Sequence, residues 1–420
     1  MSRSTRSAKF AKITTQEIQQ YVKTHQSSPR EANIPRAREE NKILDNVKVT
    51  ELTPQQLQNV DPKRLQKLQN KEFYTSAVPQ GIFYFTASIL NDPEYLDVTE
   101  AVHANFTNIK ILGKGVNGVA LASSLDNATD LIVVKSSLNP QFDDLQHELF
   151  VGLFCTNKLR GVVPNFSYIF GGFKCGAPDI EYSGKEISSV DICSDAQNSV
   201  HYVIYEKVPG QSLDKMAPQF NVPGFVSTYL QVIFALNLAN KSCGFTHYDL
   251  HPGNVMMRRP FNLNLAIPYD EGYILTTDIA TIIDYGYSHI KYKGKSYGLK
   301  GIEQWGVLSN KSFPLFDAYK LLCGLMLIFK NTPGLDAQFD EGAKILRFFT
   351  DEDPRSVIEQ QYNYYYMLPD INGLDKISLD PLIAHIRANC DTSMLVNQVP
   401  SDHKLLQCQD HCLTVVDVLS

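Results

Sequence analysis

A chain of 420 residues has room for a two-lobed domain with extensions. Its 43% apolar and 20% charged composition excludes a disordered polyelectrolyte. With 39 Lys and Arg against 45 Asp and Glu, a formal charge of −6, the whole protein carries no electrostatic footprint for nucleic acid or an anionic membrane.

Up to Leu44 there are nine basic and four acidic residues, a local excess of 9 − 4 = 5, with few large apolar side chains, so residues 1–50 read as a flexible basic arm. In ELTPQQLQNVDPKRLQKLQN, Thr53-Pro54 and Asp61-Pro62 each put a capping side chain before a proline, and Leu57 and Val60, then Leu65 and Leu68, stand three apart, which predicts two short amphipathic helices. Residues 51–104 are therefore expected as a helical extension that docks on a neighbouring domain, with partner docking through residues 1–70 as the alternative. From Asn105, IKILGKGVNGVALASS predicts strand, glycine turn and strand, and LIVVKSS a third strand. DDLQHELFVGLFCTNKL has helical spacing through Leu145, Leu149, Leu153 and Phe154. FSYIFGGF and VHYVIYEKV are strand-like, and the polar stretch Lys174 to Ser199 between them reads as a surface loop.

Beyond Gly210 the pattern turns helical. FVSTYLQVIFALNLANKSC predicts a long helix with Val226, Leu230, Ile233 and Phe234 inward. GFTHYDLHPGNVMM is a polar loop, YILTTDIATIIDYGYSHI is strand-rich, LFDAYKLLCGLMLIFK is a second apolar helix, and more helix is expected over 340–390. Residues 391–420 form a tail without a usable pattern. The expected class is α+β: a small antiparallel β-rich lobe with one helix over 105–209 and a larger, mainly helical lobe over 210–390.

The eight cysteines stand far apart, and Cys155 in GLFCTNK and Cys323 in LLCGLML sit in apolar runs. They predict core thiols in a reducing compartment rather than a disulfide framework. Cys408, His411 and Cys412 lack a second ligand pair at zinc-site spacing. The first residues carry no apolar h-region, and the longest apolar run, Leu321 to Phe329, is too short to span a bilayer. An intracellular, cytoplasmic protein without a membrane span is expected.

The residues with chemistry follow one another in a definite order. Gly113, Gly115 and Gly118 lie between two strands with no helix behind them, a flap that lets backbone N–H groups approach phosphates. Lys135 ends a buried strand and needs a counter-charge, for which Glu148, thirteen residues on in the next helix, is placed. Asp249, Asn254 and Asp284 are hard oxygen ligands that suit Mg²⁺ carried by phosphates better than zinc. His247 and His251 bracket Asp249 on a turn rather than on one helix face, which argues against zinc.

These residues resemble the protein-kinase signature set. The chain is similar to eukaryotic-type protein kinases over roughly 105–390: GKGVNG resembles the Gly-rich loop, VVK the strand lysine motif, HYDLHPGN the catalytic loop, DYG the metal-binding triplet, and DAY, from Asp317, the helix start that supports the catalytic loop. The resemblance implies ATP and Mg²⁺. Gly113, Lys114, Gly115, Val116, Asn117 and Gly118 would cover the phosphates, and Lys135, aligned by Glu148, would hold them. Ala120, Val133, Tyr205 at the gatekeeper place, Glu206 and Val208 would surround adenine. Asp249 would act as base, His251 would sit by the transferred phosphate, and Asn254 and Asp284 would hold metal. The flap, the hinge and DAY favour a protein acceptor, and the absence of A-A-R after Asp249 favours Ser/Thr. A small-molecule phosphotransferase of the aminoglycoside- or choline-kinase kind, and a nucleotide-binding scaffold, are the alternatives.

Several positions depart from the family pattern. Tyr248 replaces an Arg, His251 a Lys and Ala120 a Val; no A-P-E follows DYG; and 30 residues separate Asn254 from Asp284, which predicts an inserted hairpin or loop near Pro260 to Thr277. HYDLHPGN with IIDYG also looks like divergent kinases of large DNA viruses, which implies packaging in particles and action on structural proteins.

Overall fold

Alternation along IVVKSS turns Ile132 and Val134 into a core and leaves Val133 and Lys135 half-buried on the opposite face. The first sheet is built on this period of two. A computed structural model describes residues 29–44, 73–75, 98–114, 118–125, 132–138, 144–183, 186–259, 263–269, 272–302, 310–363, 378–409 and 412–416. The chain divides into two units, one formed by 33–157 and 167–207, the other mainly by 158–166 and 208–420. Both mix helices with antiparallel sheet, an α+β architecture.

In the first unit, helix α1 (Pro29–Leu44) and a short strand β1 (Phe73–Thr75) precede α2 (Val98–Asn105). Strands β2 (Phe106–Lys114), β3 (Gly118–Leu125) and β4 (Ile132–Ser137) follow, then α3 (Leu145–Val151), which runs on into a π-helical turn, Gly152–Thr156. Strands β5 (Ile169–Ser183) and β6 (Glu186–Glu206) complete a six-stranded sheet of order β1-β5-β6-β4-β3-β2. One face of it packs Val119, Leu121, Ile132, Val134 and Ile204 against Val98 and Val102 of α2. The glycine at 152 is required by close approach, since a Cβ there would lie 2.3 Å from the Ile169 side chain.

Three expectations for this unit are corrected. The stretch 174–199, read as a surface loop, continues β5 and β6 as a long hairpin, because Lys174, Gly176 and Glu181 find ladder partners in His201, Ser199 and Ser189. A Cys175–Cys193 disulfide, with S–S 2.00 Å, crosses that hairpin, so these two cysteines are not the free core thiols expected, and Cys155 is likewise disulfide-bonded. Residues 29–44, read as flexible arm, are helical. The helix is held by buried charge: Glu40 meets His147 Nδ1 at 2.6 Å with both side chains fully buried, and Arg36 reaches Asp144 at 3.3 Å. The two short helices expected over 51–70 lie outside the described residues.

The second unit begins with β7 (Gly210–Ser212) and the long helix α4 (Val222–Cys243), capped by the Asn221 side chain on Gly224 N–H at 2.8 Å and closed by Gly244 at φ +59°. The helix is long and apolar enough to cross a bilayer, yet Val226, Leu230 and Ile233 are buried in the unit's own core, and Phe225 meets Phe329 edge-on at 4.9 Å. Phe234, expected inward, is only half-buried. Strands β8 (Val255–Arg258), β9 (Leu265–Tyr269), β10 (Gly272–Thr276) and β11 (Ile279–Ile282) come next, then the small hairpin β12 (Ile290–Tyr292) and β13 (Lys295–Tyr297). Helices α5 (Pro314–Asn331), α6 (Asp336–Leu346), α7 (Pro354–Asn363) and α8 (Asp380–Asn389) lead to β14 (Leu395–Val396), β15 (Lys404–Gln409) and β16 (Cys412–Val416).

The insertion between Asn254 and Asp284 is the β9–β10 hairpin, and the segment read as a patternless tail supplies its sheet partners, in the order β14-β10-β9-β15-β16. Strand β15 runs parallel to β9, with Leu405 opposite Ala266. This unit is thus less purely helical than expected.

Removing Glu40 takes away the buried carboxylate that meets His147 Nδ1 and leaves Arg36 with Asp144. Glu40→Ala is expected to lower stability to urea at neutral pH by about 3–5 kcal/mol. Burial pushes the Glu40 carboxyl up, but Arg36 and His147 outweigh it and hold it below its ordinary value. Its contribution is therefore present above the ordinary carboxylate pKa and is lost on acidification, so wild type and variant should converge at low pH. Equal midpoints at pH 7 would show that this pair does not hold α1.

Candidate active site

The chemistry expected of the first unit centres on β4 and α3. Lys135 Nζ donates to both Glu148 carboxylate oxygens, at 2.9 and 3.2 Å, with the Glu148 side chain 1% exposed and that of Lys135 24% exposed. The pair forms because Lys135 is on the face of β4 opposite Ile132 and Val134, and α3 covers that face. Cross-strand register puts Ala120 opposite Lys135 and Tyr205 opposite Val133, so Ala120, Val133 and Tyr205 share the face of the lysine. Glu206 uses its carboxylate to accept Tyr168 N–H at 3.0 Å, while Val208 opens the second unit. Gly113 and Lys114 end β2, and the Lys114 ammonium hydrogen-bonds the Tyr182 hydroxyl. A side chain at Gly118 would meet the Ser136 carbonyl at 2.8 Å. Gly115, Val116 and Asn117 lie outside the described residues.

In the second unit, the loop after α4 is organised by Asp317, which is fully buried in the first turn of α5. Its carboxylate accepts the backbone N–H groups of His247, at 2.6 Å, and Tyr248, at 2.8 Å. Turning two successive N–H groups onto one carboxylate takes Tyr248 into left-handed backbone, φ +63°, a conformation that costs about 1–3 kcal/mol and persists only where neighbours enforce it. The Tyr248 hydroxyl donates to the Lys311 carbonyl at 2.6 Å, and its ring packs on Phe316.

His247 is fully buried, donates from Nε2 to the Ile283 carbonyl at 2.9 Å, and accepts Asp249 N–H at Nδ1. Burial pushes its pKa down, which suits a neutral ring with both nitrogens committed and no lone pair left for zinc. Asp249 itself is one-third exposed. Asn254 Nδ2 donates to the Asp249 carbonyl at 2.9 Å, and Asn254 in turn accepts Ile283 N–H at 3.0 Å on its own carbonyl. Antiparallel pairing of β8 with β11, Val255 against Ile282, is what brings Asn254 beside the segment entering Asp284, itself left-handed at φ +65°. His251 accepts Gly253 N–H at Nδ1, 3.1 Å, capping the turn Pro252–Asn254, and burial lowers its pKa too.

One residue escaped the sequence reading. Lys320 Nζ lies 2.6 Å from Asp249 Oδ1 and 3.4 Å from the Tyr248 carbonyl. Its spacing of three from Asp317 on a helix was the available signal.

Burial raises the Asp317 carboxyl to about 7, against the pull of the His247 and Tyr248 N–H bonds and of Lys320. A folded-state pKa above the unfolded 3.8 gives stability that is full in acid and lost as pH rises towards 7. Asp317→Asn should therefore abolish a decline in thermal midpoint between those pH values. It should also cost about 1–3 kcal/mol at neutral pH, since an amide cannot accept both N–H groups. Parallel pH profiles for the two proteins would contradict this assignment.

No family model matches the chain. It is 25% identical over 237 residues to Probable kinase 098L of Invertebrate iridescent virus 3, covering 55% of this chain and 40% of that protein. It is also 28% identical over 167 residues to Uncharacterized protein 035R of the same virus, 36% of this chain and 15% of that one. Uncharacterized protein 179R of Invertebrate iridescent virus 6 matches to the same degree, over 38% of this chain and 13% of its own. The chain thus spans at most two-fifths of the length of these viral relatives. The first relationship supports a kinase-like family.

Proposed function

We propose that the chain is an ATP-dependent protein kinase with a bilobal protein-kinase-like fold, transferring the γ-phosphoryl group of Mg-ATP to Ser or Thr hydroxyls. The observation that carries this reading is the Asp249 loop. A partly exposed carboxylate is held on a backbone tied to buried Asp317, with the Asn254 amide on its carbonyl and the entry to Asp284 alongside.

The donor set fits magnesium. Because Asn254 spends its N–H on the Asp249 carbonyl, its Oδ1 is left as a hard oxygen ligand, and Asp284 adds a carboxylate. Magnesium bound there supplies charge neutralisation during phosphoryl transfer. Lys135, aligned by Glu148, orients the phosphates, and the backbone from Gly113 to Gly118 covers them. Ala120, Val133 and Tyr205 flank the base, with the main chain of Glu206 and Val208 for its polar edge. Asp249 orients the acceptor hydroxyl and takes its proton. Positioning and fixed charge do most of the work. Tyr248 stands where an Arg would read a phosphorylated activation loop, and its buried ring and bonded hydroxyl offer no such reader. The viral relatives accord with a virus-encoded kinase; its absence from purified particles would refute the packaging expectation.

The test is transfer of labelled phosphate from Mg-ATP to casein, a basic protein, and a panel of small alcohols including choline and an aminoglycoside. Labelled serine or threonine is expected, lost by at least about 100-fold in Asp249→Asn with nucleotide binding retained. Lys135→Met should also suppress turnover. Label confined to a small alcohol would make the chain a small-molecule phosphotransferase, and nucleotide binding without transfer a scaffold.

A further inference from the structure

The position two residues after Asp249 holds His251, and that ring is already employed. Its Nδ1 accepts Gly253 N–H to cap a turn, and its Nε2 is 4.0 Å from Asp249 Oδ2. A permanent cation reaches Asp249 from another element. Lys320 projects from α5 one turn beyond Asp317, its side chain 14% exposed, and closes on Asp249 Oδ1 at 2.6 Å and the Tyr248 carbonyl at 3.4 Å.

Three features of the fold fix that reach. Asp317 anchors α5 to the same loop through the N–H groups of His247 and Tyr248. A spacing of three puts residues 317 and 320 on one helix face. Gly324, further along α5, lets the helix press on the loop, since a Cβ there would stand 2.6 Å from Pro252 Cδ. An ammonium so placed is a short, charge-assisted contact rather than a solvated surface ion.

Resting on the kinase reading above, we propose that Lys320 is the positioning residue for Asp249, supplying from α5 the cation that position 251 lacks. It holds Oδ1 and so turns Oδ2 towards the acceptor. In the reaction, the bond from the acceptor oxygen to the γ-phosphorus forms as the bond from that phosphorus to the departing ADP oxygen breaks. The hydroxyl proton passes to Asp249 Oδ2, and Lys320 takes no part in the proton transfer. Lysine rather than arginine suits the place because a compact ammonium can serve a carboxylate oxygen and a carbonyl at once.

The experiment measures kcat, KM for ATP and thermal midpoint for the full chain, Lys320→Met, Lys320→Arg and the double variant His251→Lys/Lys320→Met. Lys320→Met is expected to lose about 100-fold in kcat with KM for ATP nearly unchanged. Lys320→Arg should remain impaired, and the double variant should regain at least about tenfold, because the cation returns to the loop. Full kcat in Lys320→Met alongside an inactive Asp249→Asn would overturn the role of Lys320 and leave the kinase reading standing. If Lys320→Met also lowers the thermal midpoint, the double variant decides: recovered turnover supports the proposal, and persistent loss makes Lys320 a structural strut. No transfer by the unmodified chain to any acceptor would remove the kinase reading, and this assignment with it.

Discussion

One buried carboxylate organises the loop that carries Asp249. Asp317 has no solvent to satisfy it, so its two oxygens are met by N–H groups of His247 and Tyr248, and the loop must adopt whatever backbone delivers them. The left-handed Tyr248 follows from this demand, and the next residue, Asp249, leaves the strained position aimed away from the core. The helix that bears Asp317 also brings Lys320. The anchor and the cation that meets Asp249 are therefore one rigid element, which gives the loop little freedom to drift.

The first unit follows a related logic with opposite polarity. Glu148 is nearly dry, and Lys135 answers it. One residue earlier on the same helix, His147 is completely dry and is answered by Glu40 from α1. Consecutive residues of α3 thus carry their side chains to two different partners, one on the sheet and one on a helix from the far end of the sequence. Ionised or hydrogen-bonded groups of this kind add little net stability over apolar packing, but they are intolerant of misregister. The gain is in specifying where α3 sits.

What could be read from the amino-acid order depended on how local its physics was. The period of two in IVVKSS and the apolar spacing of FVSTYLQVIFALNLANKSC are short-range signals, and the strand and helix they predict stand where expected. The hairpin arms between Lys174 and Ser199 were obscured because their outward positions are polar and their pairing is paid back only across the hairpin, reinforced by Cys175–Cys193. Strands Leu395–Val396 and Lys404–Gln409 are short and without alternation, and their partners, β10 for the first and β9 with β16 for the second, lie outside the local window. The helical state of residues 29–44 hangs on partners over a hundred residues away, Asp144 and His147, which no window of sequence can contain. Lys320 was missed for a different reason: a lysine on an amphipathic helix reads as solvated until the loop it faces is known.

The parallel pairing of β15 with β9 has a bearing on biosynthesis. The segment joining Asn254 to Asp284 is made long before residues 404–409, yet its hairpin has an open edge until they arrive. During synthesis that edge is exposed, with its N–H and C=O groups unpaired, for as long as the four helices α5 to α8 take to emerge. The β9 edge of this inserted hairpin is thus covered only after those helices have been made, and its maturation is timed by β15 rather than by its own sequence.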